Sequence, residues 1–105
     1  VVSIPLREQV YQQVWKSEMS RPQMKKRQWD LDKPDKLLSQ ALNDAGIPLL
    51  QLLPEFRKTA SDAVLYFGID GKIADGHWTA DGHYLAGKLI YQWLIQEKLV
   101  PHSPL

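Results

Sequence analysis

The sequence predicts an α/β fold, a short parallel sheet with flanking helices, and three observations carry that reading. Two apolar runs, residues 1–4 and 47–52, read as buried strands, the first rich in β-branched residues. The residues between them show apolar positions at helical spacing, so the order is strand, helices, strand, the pattern of a right-handed crossover unit. A long helical pattern then closes the chain.

Each element follows from local chemistry. Pro5 ends the first strand and suits a helix start, and Leu6, Val10 and Val14, with Tyr11 and Trp15 near them, give a helix over about 6–16. Tyr11 and Trp15 read as part of a helix face packed on the sheet. Ser20-Arg21-Pro22 interrupts that pattern. The following Lys25-Lys26-Arg27, Trp29, Asp30, Asp32 and Asp35 read as a solvated connection with internal ion pairs. Asp32-Lys33-Pro34-Asp35 signals a helix entry, Leu37, Leu38, Ala41, Leu42 and Ala45 form its apolar stripe, and Gly46 suits the position just past its end. Residues 53–58 read as a short helix whose Phe56 plugs the core, and 64–67 as a short extended piece. Residues 68–76 read as a loop and about 80–99 as the last helix, with Gly87 placed for close packing on the sheet.

At 105 residues the chain holds one domain, 1–105, and 44% hydrophobic residues suffice for a core. Thirteen basic and twelve acidic residues leave a net charge of +1, so nothing points to nucleic acid. There is no cysteine, which excludes disulfides and thiolate chemistry and fits either cytoplasm or periplasm. No apolar run approaches a membrane span and no signal-peptide pattern is present. The chain opens on Val1, without Met and directly in a β-type run, and the expectation is a portion of a longer polypeptide.

The chemistry concentrates in Asp75-Gly76-His77-Trp78-Thr79-Ala80-Asp81-Gly82-His83. Thr79 is a good N-cap, Asp81 lies in the first turn, and Leu85, Ala86, Leu89, Ile90, Trp93 and Leu94 follow at helical spacing. A carboxylate two residues before a histidine, on a loop held by a helix start, can make an oriented general base. The same residues also suit plain turn chemistry, since Asp70-Gly71, Asp75-Gly76 and Asp81-Gly82 are all turn pairs.

The block from Tyr66-Phe67 through Asp75-Gly76-His77-Trp78 to Gly82-His83 and Leu85-Ala86 resembles the last block of SGNH (GDSL-type) hydrolases. It is closest to their Asp-x-His-Trp branch, which includes polysaccharide O-acetyltransferase-like members. The opening residues 1–11 resemble a mid-domain strand and helix of such proteins. The resemblance implies a partial three-layer α/β/α (flavodoxin-like) fold, the chain being the C-terminal part of a larger hydrolase-like domain. It implies Asp75 as the orienting carboxylate and His77 as the base of a Ser-His-Asp triad; Trp78, adjoining that base, reads either as the floor of a substrate pocket or as an aromatic anchor pinning the loop to the core. The substrate class is an ester or acylated carbohydrate. It also implies a periplasmic or extracytoplasmic setting.

The chain departs from the family in its other blocks. No Gly-Asp-Ser occurs, and Ser3, Ser17, Ser20, Ser39, Ser61 and Ser103 all lie outside an elbow pattern. Asn43 lacks the preceding glycine of the family's Asn block and sits in a helical pattern. The nucleophile is therefore expected from a segment outside this chain, to which the chain would dock. Without it, exposed strand edges would favour self-association. The competing reading is a non-catalytic α/β binding or structural module.

No metal or cofactor is expected. Asp75, His77 and His83, with His102 as a distant fourth, have a spacing that can serve zinc, but His83 would project from a helix's first turn. A calcium loop starting at Asp70 fails, because Lys72 and Ala74 occupy ligand positions.

Overall fold

The computed structural model describes residues 1–70 and 75–101. His102, Ser103, Lys72 and Ala74 lie outside the described residues, as does the middle of the 68–76 loop. The order is β1 (Val2–Ser3), α1 (Arg7–Val10), α2 (Gln12–Met19), α3 (Lys33–Asp44), β2 (Leu50–Gln51), α4 (Leu53–Thr59) and α5 (Ala80–Gln96). The protein is mixed α/β, about half helical. β1 and β2 pair in parallel, Val2 opposite Leu50 and Ser3 opposite Gln51.

The strands are shorter and less buried than the apolar runs predict. Val2, Ser3, Leu50 and Gln51 are all half-buried, and Val1, Ile4 and Ile47 are exposed. Among the described residues the sheet has two strands, and so narrow a ribbon has too little backing to bury both faces.

The predicted helix over 6–16 is broken at Tyr11, whose φ of −108° and ψ of 109° are extended. Its ring is needed elsewhere: the hydroxyl donates to Ala63 O at 2.8 Å and accepts from Leu65 N at 2.9 Å. Burial of this ring and satisfaction of the 63–65 backbone outweigh the one turn of helix that is lost. The crossover from β1 to β2 thus contains three helices rather than two.

α3 begins and ends as expected, with Pro34 in its first turn and Gly46 at φ 69° just beyond it. Its apolar stripe is nevertheless not buried, and Leu37 is 54% exposed. The helix is tied to the sheet by polar contacts at its start: Ser3 Oγ donates to Asp35 Oδ1 at 3.3 Å and Gln51 Nε2 to Asp35 O at 2.8 Å. In the connection before it, Asp32 pairs with Arg57 of α4 at 2.9 Å, not with the basic run nearby.

The core gathers Val10, Tyr11, Val14, Leu52, Leu53, Phe56, Leu65, Tyr66 and Ala86. Phe56 is fully buried, as its place in the short helix implied. Its ring meets Tyr66 at 6.0 Å and Trp78 at 5.5 Å between centroids, and Tyr66 meets Tyr11 edge-on at 6.3 Å. The principal extents are 55 × 33 × 19 Å and the radius of gyration is 16.1 Å, against about 13 Å for a compact domain of this length.

Candidate functional site

The start of α5 is built first. Thr79 caps it, its hydroxyl accepting from Gly82 N at 3.2 Å while donating to Val64 O at 2.5 Å. Thr79 N donates to Leu65 O at 3.0 Å and Phe67 N to His77 O at 2.9 Å, forming an antiparallel bridge between Tyr66 and Trp78. The extended piece expected at 64–67 is therefore the strap that holds residues 77–79. Close approach is possible because residue 82 is glycine: a Cβ there would lie 2.2 Å from Leu65 O and 3.0 Å from Trp78 Cβ. At Gly87, where close packing was expected, an added Cβ meets nothing within 4 Å, so that expectation is corrected.

On this strap sits the Asp75–His77 pair. Asp75 Oδ1 accepts from His77 N at 2.9 Å, and it also contacts His77 Nδ1. The first of these contacts holds the Asp75 carboxyl below the usual carboxylate range, the His77 ring lowers it further, and Arg7 adds a smaller push. The Nδ1 contact assigns the proton of a neutral ring to that nitrogen and leaves Nε2 as the basic edge. The His77 side chain is 89% exposed and Asp75 47%. The pair is oriented but not desolvated.

Beside His77 opens a pocket of about 280 Å³, lined mainly by Ile4, Pro5, Leu6, Tyr66 and Trp78. It lies past the carboxyl end of β1, where ligands of parallel α/β sheets bind. Trp78 lines this pocket and packs against Phe56 and, edge-on at 5.3 Å, against His83. Tyr66 closes the floor, its hydroxyl donating to Pro5 O at 2.5 Å. Burial pushes its phenol up to about 12, so it stays neutral at physiological pH.

None of Ser3, Ser17, Ser20, Ser39 and Ser61 lines this pocket, and Ser3, at the end of β1, donates to Asp35 instead. Among the described residues no group of three or more metal-ligating side chains comes together, Asp75, His77 and His83 included. No helix among them is long and apolar enough to cross a membrane.

Arg7 and Tyr66 also line this pocket, and the sequence assigns neither of them a role. Arg7 Nη1 lies 3.4 Å from Phe67 O, 3.3 Å from Gly68 O and 3.3 Å from Asp75 O. In the sequence Arg7 is an ordinary first-turn residue; its partners lie about sixty residues on, and no local pattern marks them. Comparison of the chain with protein-family models, curated proteins and solved structures finds no match.

Proposed function

We propose that this chain supplies the acid–base part of an SGNH-type serine esterase or O-acyltransferase. The observation that carries the proposal is the doubly bonded Asp75–His77 pair, at the carboxyl end of a parallel sheet and beside an apolar pocket. In this reading a serine from another segment attacks the carbonyl of an acyl or acetyl ester. His77 Nε2 takes the serine proton, Asp75 stabilises the imidazolium, and His77 returns the proton to the leaving alkoxide. The acyl group then passes from the serine to water, or to an acceptor hydroxyl such as that of a carbohydrate, as His77 takes the proton of that nucleophile and returns it to the serine oxygen. Trp78 forms the floor against which the acyl group lies.

The complete fold would be three-layered, with further strands beside β1 and β2. Two features support this: the uncovered stripe of α3 and the elongated shape. A second reading, a non-catalytic binding or structural module, is favoured by the 89% exposure of His77 and by the absence, among the described residues, of a serine lining the pocket.

One experiment separates them. Hydrolysis of 4-nitrophenyl acetate is measured for the natural polypeptide carrying this segment, alongside its His77→Ala variant. The enzyme reading expects kcat to fall by roughly 10³-fold or more. Wild-type turnover in His77→Ala, or none in either protein, rejects it and leaves the module.

A further inference from the structure

We propose that Arg7 is the positioning residue of the Asp75–His77 pair, a clamp from the start of α1 that sets where the loop carrying the pair lies. This rests on the catalytic reading above for its effect on turnover, though not for its geometry.

Arg7 opens α1 just after Pro5, at the pocket's rim, and its side chain is only 13% exposed. A guanidinium so far removed from water needs acceptors, and it finds them in backbone carbonyls. Phe67 O and Gly68 O lie at the entry of the loop and Asp75 O at its exit, all within 3.4 Å of Nη1. One cation thus joins both ends of the loop to the first residue of α1. The contacts are long because they are shared, so the clamp works through their number rather than through one strong bond. Glu8 Oε1, 3.3 Å from Nη2, holds the guanidinium from its other side.

A second observation places Arg7 against the pair itself. A Cβ added to Gly76 would lie 3.7 Å from Arg7 Cζ and Nε. The guanidinium therefore packs on the residue between Asp75 and His77. Tyr66, which pins Pro5 O, holds the other side of the same junction. The Asp75–His77 bonds are local and fix the ring relative to the carboxylate; they say nothing of where the pair stands over the strand end. Arg7 supplies that placement with Nη1 on the three carbonyls and Nη2 on Glu8, and a lysine cannot, since its single ammonium nitrogen would have to face both sides at once.

The test is nitrogen-detected imidazole NMR on the 105-residue chain, comparing wild type with Arg7→Gln. The Arg57→Gln variant is the control, as it removes a guanidinium held on Gln9 O and Asp32 rather than on the loop carbonyls. In Arg7→Gln the His77 ring and Asp75 carboxyl shifts are expected to move as the pair leaves its place, and the Asp75 titration midpoint to rise, while the Nδ1-protonated tautomer set by the local bond persists. Arg57→Gln should change neither. In the natural polypeptide Arg7→Gln should lower kcat by about 10- to 100-fold, with KM moving far less. Unchanged His77 and Asp75 signals in folded Arg7→Gln overturn the proposal. If that variant does not fold, Arg7→Lys decides by the same readout. Loss of the catalytic reading shows differently, as unaltered turnover in His77→Ala.

Discussion

Asp75 grips His77 at two points, its Oδ1 accepting the backbone N–H at 2.9 Å and contacting the ring at Nδ1. Both contacts span two residues, so ring orientation is a local property of the turn, independent of the core. No serine among the described residues reaches this pocket. The 105-residue chain by itself is expected to hydrolyse 4-nitrophenyl acetate at no more than the rate of free imidazole. Turnover well above that rate, lost in His77→Ala, would reveal a nucleophile inside the chain.

The same grip has a pH signature. The folded Asp75 carboxyl titrates below its unfolded value of about 4, so its contribution to stability is complete above pH 4 and is lost as the pH falls through the folded value. Carboxyl carbon shifts during acid titration should show Asp75 still ionised where an ordinary aspartate is half protonated. A midpoint at the ordinary value would mean that the turn is not formed in solution.

Tyr66 acts at the other end of the scale. Its phenol, raised from 10 to about 12, leaves stability undiminished below pH 10. Between pH 10 and 12 the unfolded chain loses that proton and the folded chain keeps it, so stability falls by roughly 3 kcal/mol. Urea unfolding at stepped pH should show the decline, and Tyr66→Phe should flatten it.

Two glycines of α5 should respond in opposite directions. Gly82→Ala drives a Cβ into Leu65 O and the Trp78 side chain, and should cost roughly 2–3 kcal/mol through displacement of the strap. Gly87→Ala meets open space inside a helix and should stabilise by about 0.5–1 kcal/mol. Chemical denaturation of both variants checks this, and equal effects would contradict the packing described.

The pocket rim carries Ile4 at 63% and Leu6 at 65% exposure, next to a sheet with an open edge. The isolated chain is therefore expected to self-associate at micromolar concentration, or to unfold with a low midpoint. Sedimentation velocity decides, with Ile4→Lys and Leu6→Lys expected to shift any oligomer toward monomer. A clean monomer with a sharp, high-temperature transition would show that the small core suffices.

Local chemistry was enough to read α3, α4 and α5 to within a few residues, because Pro34, Gly46, Pro54 and Thr79 are punctuation whose effect depends on the backbone beside them. The same holds for the Asp75–His77 turn and for Phe56 as the core plug. Three matters depended on contacts between distant residues and so were settled only by the tertiary structure. Tyr11 leaves the helix because its hydroxyl serves backbone more than fifty residues away. Gly82 rather than Gly87 is the close-packing glycine, because the strap at Leu65 crosses there. Arg7 joins the site through carbonyls at positions 67, 68 and 75, which carry no side-chain signature at all. Hydrophobic spacing says which face of a helix prefers burial, but whether anything covers it is decided by what packs there, which is why the apolar stripe of α3 was legible and its exposure was not.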